Sequence, residues 1–306
     1  MRRPLLQDPA ISTVTLALNY ACNSRCTFCF IEPEIAAGLP PMDDAMIDSV
    51  FAENRRTQRY KRLILAGAEA TLRKDLADIA ARAIDAGGFE VVRLQTNGRR
   101  LGDRVYLEKL IRAGIGEFFV SCHAGSPGLD AALTRSPRAF TELLAGLRAV
   151  RDSGARLITN TAVVKKSYSQ LPRLADFFIA EELPESHFWA FIEFGDVGQA
   201  AEHVAFSECI PPLLEAVRRL RAAERAVTLS WFPECLLGDY SGLQKNHRDD
   251  TLIHDRFSDR VRASGRFDCP HAGSCPRLGA SCYGLHERHV AVIGDERAAL
   301  RPMAAR

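Results

Sequence analysis

The sequence predicts an α/β fold, a partial (β/α)6 barrel followed by a small cysteine-rich C-terminal region. Two observations carry this. Strand-like and helix-like segments alternate through about two thirds of the 306 residues, which is how βα units around a parallel sheet read. The alternation then breaks, and from Trp231 the chain is rich in Gly, Cys, Pro, His and Arg. These place a boundary near residue 225, with a barrel core over 1–225 and a distinct region over 226–306.

Each element has its own signal. Thr13–Asn19 is a short strand-like run that leads into Cys22. Met46, Ile47, Val50 and Phe51 recur at helical spacing, with Asp43 or Asp44 as N-cap. Arg62–Ala66 reads as a buried strand, followed by a helix from about Arg73 to Ala86 that Gly87-Gly88 closes. Glu90–Gln95 is a third strand turned by Thr96-Asn97-Gly98, and Asp103 caps the next helix, which stops at Gly114. Phe118–Ser121 is a fourth strand. Phe140, Leu143, Leu144, Leu147 and Val150 form an apolar helical stripe ended by Gly154. Leu157–Val164 is a fifth strand, Leu171–Ala180 a helix, and His187–Phe194 a sixth strand, with a last helix over Pro212–Ala223. Six units make an open, TIM-like partial barrel rather than a closed one of eight.

Composition narrows the function classes. A net charge of +2 gives no case for a nucleic-acid surface. No apolar run approaches the ~20 residues of a membrane helix, and Met1-Arg2-Arg3-Pro4 leads into no signal core. Nine cysteines in such a chain argue for reduced thiols and metal ligation, with the cytoplasm as the expected location.

The chemistry concentrates in Cys22-Asn23-Ser24-Arg25-Cys26-Thr27-Phe28-Cys29. A [4Fe–4S] cube takes four thiolates. This loop supplies three, which leaves one iron open for a ligand, the mark of a reactive rather than a structural metal site. The spacing, with an aromatic before the third cysteine, resembles the cluster loop of the radical S-adenosylmethionine (SAM) enzymes. The resemblance implies SAM on the open iron, reductive cleavage to a 5′-deoxyadenosyl radical, and hydrogen abstraction from a small-molecule or peptide substrate. It also implies an electron donor such as flavodoxin or ferredoxin.

In parallel α/β folds ligands sit at the carboxyl ends of strands. Those ends supply the candidate SAM contacts. Phe28 would pack on adenine. Gly67, Ala68 and Glu69 look like the family's Gly-Gly-Glu-Pro segment, from which Ala68 and Ala70 depart. Ser121 and His123 end the fourth strand, with Cys122 between them as a small buried residue. Asn160 and Thr161 end the fifth, and only one of them can face inward. Thr96 or Asn97 is a further contact candidate, and Glu193, Gly195 and Asp196 mark the sixth strand's end.

A second set, Cys235, Cys269, Cys275 and Cys282, lies in the tail, where Cys282-Tyr283-Gly284 resembles the C-x-G element of the family's auxiliary-cluster (SPASM or twitch) domains. It implies a second [4Fe–4S] cluster, with structural zinc as the competitor and His271 or His286 as substitute ligands. Cys209 fits no pattern and reads as helical core or cap. The basic stretch Asn246-His247-Arg248 could meet an anion. Two other functions share these features: a zinc-bearing, non-catalytic α/β binding protein, and a degenerate scaffold that binds SAM without cleaving it.

Overall fold

The computed structural model describes residues 11–192, 199–246 and 249–304. The chain begins with β1 (Thr13–Ala17), α1 (Glu32–Ala36), α2 (Asp44–Thr57), β2 (Arg62–Ala66), α3 (Leu76–Asp85) and β3 (Val91–Thr96). Then come α4 (Arg104–Arg112), β4 (Ile115–Ser121), α5 (Pro127–Thr134), α6 (Ala139–Ser153), β5 (Arg156–Val163), α7 (Leu171–Ala180) and β6 (Glu185–Ala190). The remainder is α8 (Phe206–Ala222), β7 (Ala226–Ser230), β8 (Asp250–Leu252), α9 (Asp255–Ala263), β9 (Phe267–Asp268), β10 (Leu285–His286) and α10 (Glu287–Ile293). None of the described helices is long and apolar enough to cross a membrane.

Eight strands form one sheet in the order β7-β6-β5-β4-β3-β2-β1-β8, and every neighbouring pair is parallel. The six expected strands are its middle six. β7 and β8 extend the two edges, so the sheet continues past residue 225. The interruption lies in the turns between those strands, not in the sheet. β9 and β10 form a separate antiparallel pair.

Strand residues alternate in facing, which divides the sheet into two surfaces. Val14, Leu16, Leu63, Leu65, Val92, Leu94, Phe118, Val120 and Phe188 are buried in one apolar core that also includes residues of the flanking helices. The alternate positions Ile64, Arg93, Gln95, Phe119, Ile158, Asn160, His187, Trp189, Thr228 and Ser230 line the lumen. Near the strand starts, the Glu117 carboxylate accepts hydrogen bonds from Arg62, Arg93 (2.9 Å) and Arg156 (2.7 Å), and Arg156 also pairs with Glu185 at 2.9 Å. Burial alone would raise the Glu117 pKa, but the three guanidiniums hold it below the ordinary value. This charged layer floors the barrel.

Helix ends follow the expected chemistry. Asp43 accepts from Met46 N at 2.7 Å, Asp103 from Tyr106 N at 3.1 Å, and Gly154 ends α6 with φ +76°. The helix expected from Pro212 starts six residues earlier. Pro211 and Pro212 sit inside it, and the carboxylate of Glu296 accepts its first amides, Phe206 N (2.8 Å) and Ser207 N (2.9 Å). A cap supplied from ninety residues away has no local signal.

Candidate functional site: a cysteine-lined cavity at the strand ends

The loop after β1 is hung from several elements. Arg25 N and Thr27 N donate to the last carbonyls of α5, Thr134 O (3.0 Å) and Leu133 O (2.8 Å). Arg99 donates to Asn23 O, to Ser24 Oγ (3.0 Å) and to Glu142 on α6 (2.6 Å). Gln199 donates to Cys29 O at 2.7 Å. From the C-terminal region, Arg260 on α9 donates to Phe30 O and pairs with Glu34, which is fully buried. Such multiple tethering fixes the three sulfurs without regular structure.

Cys22, Cys26 and Cys29 line one cavity of about 210 Å³, together with Phe28, Gly67, Ala68, Ser121, His123 and Asn160. Thus six of the eight principal SAM-contact candidates share a chamber with the thiols, as do the further candidates Thr96 and Asn97. The other two do not. Glu69 is buried, with its carboxylate taking Thr71 N (3.0 Å), Thr71 Oγ1 (2.5 Å), Thr96 Oγ1 (2.6 Å) and Asn97 N (2.7 Å). It organises the β2 and β3 ends from behind the cavity wall. Thr161 points the other way and donates to Cys122 O at 2.6 Å, which leaves Asn160 as the inward residue of the pair.

Gly67 has φ +138°, and a Cβ there would stand 2.6 Å from Asn19 O. Only glycine lets the β1 and β2 ends come this close. Ala68 has no positive φ and gives its N–H to Asn19 O at 3.0 Å, so alanine is accommodated. His123 is buried edge-on against Phe28, with ring centroids 4.7 Å apart. Its Nδ1 accepts from Ala162 N at 3.0 Å, and burial depresses its pKa to about 4. The ring is therefore neutral at ordinary pH and carries its proton on Nε2.

The donor set suits a cluster. Cys22 Sγ accepts from Ser24 N (3.4 Å) and lies 3.9 Å from Asn97 Nδ2. Burial raises all three thiol pKa values, that of Cys29 to about 11, so a metal must displace the protons as it binds. Among the described residues no three His, Cys, Asp or Glu side chains already stand at metal-binding geometry. The thiols line the cavity without closing on one point.

Sequence reasoning missed Asp130, a buried α5 carboxyl in the same cavity whose pKa is pushed up to about 6 by burial. Arg99 and Gln95 were missed too. Gln95 carries a signal in the sequence, as an inward alternate of the third strand. Glu193, Gly195 and Asp196 lie outside the described residues, as do His247 and Arg248.

Cys235, Cys269, Cys275 and Cys282 line a second, smaller hollow with Glu234, Arg277, Gly284, Leu300, Arg301 and Met303. Cys282 Sγ accepts from Glu234 N and Gly284 N, both at 3.4 Å, and Cys235 Sγ from Arg301 N at 3.5 Å. At Cys275 burial pushes the pKa up, but backbone amides including that of Met303 outweigh it and lower it. Gly284 has φ +84°, and a Cβ would stand 2.2 Å from Asp268 O. Of the proposed substitutes, His271 is 3.1 Å from Leu300 O and His286 Nδ1 accepts from Arg288 N at 3.1 Å; neither lines the hollow. Cys209 and Cys122 are buried core residues.

The chain is similar to several known proteins. The probable GTP 3′,8-cyclase of Sulfurisphaera tokodaii is 29% identical over 192 residues, covering 62% of this chain and 58% of the relative. The GTP 3′,8-cyclase of Marinobacter nauticus is 26% identical over 197 residues, covering 63% and 57%. The chain thus spans less than two thirds of the length of these curated relatives. Among solved structures, Streptococcus suis SuiB bound to S-adenosylmethionine superposes with a TM-score of 0.63 at 14% identity, covering 96% of this chain and 76% of that one. The anSMEcpe structure with bound AdoMet and Cp18Cys peptide gives 0.58 at 13%, covering 71% and 62%. At such identities these two establish the fold alone. The model of the Radical SAM superfamily matches residues 17–178, just over half the sequence, and the chain belongs to that superfamily.

Proposed function

We propose that Cys22, Cys26 and Cys29 hold a [4Fe–4S] cluster, that SAM occupies the cavity they line, and that hydrogen is abstracted from a small-molecule or peptide substrate reached through the barrel lumen. The observation that carries this reading is the shared chamber: three thiols and six candidate contacts from four strand ends around one space. A cluster held by Cys22, Cys26 and Cys29 would supply the one-electron reduction that cleaves the sulfonium of SAM to methionine and a 5′-deoxyadenosyl radical.

The chain's own residues bind, orient and shield. Gly67 brings two backbones together at the cavity wall. His123 offers an Nε2 proton that its environment keeps in place. Phe28, Phe30 and Trp189 supply apolar walls that keep water from a radical. Residues 226–306 form the auxiliary region in this reading. There Cys235, Cys269, Cys275 and Cys282 ligate a second [4Fe–4S] cluster, which three backbone N–H···S contacts from Glu234, Gly284 and Arg301 support. A flavodoxin or ferredoxin would supply the electrons. The names of the relatives support a small-molecule substrate.

Replacing Cys26 by Ala should abolish 5′-deoxyadenosine formation from SAM under strong reductant. Undiminished product from the variant would refute the assignment of this loop.

A further inference from the structure

We propose that the barrel lumen takes a small molecule bearing an oxyanion group, phosphate or carboxylate, which docks on Arg93 and Arg62. The inference rests on the cysteine-lined cavity being the SAM site, since it places the substrate next to it. A cavity of about 500 Å³ fills the lumen from the charged floor upward. It shares Phe30, Gln95, Phe119, Asn160 and Trp189 with the cysteine-lined cavity, so the two spaces meet at those side chains. Its volume lies in the range of small-molecule sites, roughly 300–1,000 Å³.

The charges facing this space are Arg62, Arg93, Arg156 and Lys245 against Glu185 and Asp249, with Glu117 in the floor beneath. Arg156 has its Nε and both terminal nitrogens on carboxylates. Arg62 and Arg93 instead share the single oxygen Oε2 of Glu117, each through one nitrogen. Among the described residues the two terminal nitrogens of Arg93 have no carboxylate partner, although its side chain is only 13% exposed. Neither nitrogen is among the buried polar atoms that lack a partner, so both stay open to the lumen, where an anion can reach them. A phosphate or carboxylate accepts such forked N–H groups in the geometry they already present.

Reach is consistent as well. Gln95 lies two residues beyond Arg93 on the same face of β3, a rise of roughly 7 Å. An anion held at Arg93 would therefore place the other end of a molecule of a few carbon atoms at the cavity junction.

The test is titration calorimetry of the anaerobically reconstituted holoenzyme with inorganic phosphate and, separately, acetate, beside an assay of its SAM cleavage. Saturable binding of either anion is expected, weakened at least tenfold in Arg93→Gln and less in Arg93→Lys. The tighter anion identifies the group. Arg112→Gln, on the exposed face of α4, serves as the surface control and should bind as the parent does. Glu117 keeps Arg62 and Arg156 in the Arg93 variants, and a melting curve verifies their fold. Binding equal in Arg93→Gln and parent, or no saturable binding by a parent that cleaves SAM, overturns the proposal. A parent that binds phosphate through Arg93 but never cleaves SAM would leave this site standing and remove the functional reading instead.

Discussion

Cys22, Cys26 and Cys29 line one cavity, and their close spacing makes them conspicuous in the sequence. Glu69 could be noticed but not placed. Its carboxylate is consumed by four donors from Thr71, Thr96 and Asn97, and that arrangement depends on the β2 and β3 ends meeting in space. His123 adds a measurable consequence. Its folded pKa of about 4 lies below the ordinary histidine value of 6.5, so the fold binds fewer protons there than the unfolded chain. The stability this contributes is present above pH 6.5 and is lost as the pH falls toward 4. His203, also depressed to about 4 by burial, acts in the same direction. In urea titrations from pH 7 to pH 4.5 the unfolding midpoint should fall, and His123→Gln should flatten part of that fall. A variant with an unchanged pH slope would show that the buried ring does not titrate as described.

At the scale of elements, the strands with long apolar runs were legible and the marginal ones were not. β1 to β6 carry enough alternating or buried residues to be read directly, and Asp43, Asp103 and Gly154 mark their helix ends as local rules require. β8 has three residues, and it exists because Val14, Thr15 and Leu16 offer an edge 236 positions earlier in the chain. α5 begins at Ser126-Pro127 with few periodic apolar residues, yet its carbonyl end holds the cysteine loop. The contact between the ends of β1 and β2 is similarly specific. Gly67→Ala puts a Cβ into Asn19 O at a backbone angle alanine disfavours, which should cost on the order of 1–3 kcal/mol. The variant should melt lower and take up less iron at the first site. Unchanged melting and iron content would mean the two strand ends can part without consequence.

For the molecule as a whole, the break in periodicity near residue 225 reflects a change in how the chain is organised. Beyond it, order comes from long-range pairing, from α9 gripping Phe30 and Glu34, and from four cysteines around one hollow. Sequence spacing located those cysteines but could not show that residues 300–303 close over them, since that depends on how the C-terminal turns fold back. In the proposed reading a radical is generated at the strand ends and a substrate is held in the adjoining lumen, while Cys235, Cys269, Cys275 and Cys282 hold a second centre. The most direct measurement is iron and sulfide content, with EPR spectra, of the anaerobically reconstituted chain and of its Cys22/Cys26/Cys29→Ala variant. The account predicts about eight irons falling to about four, each centre counted as a cube. Equal iron in both proteins, or zinc in place of iron, would contradict it.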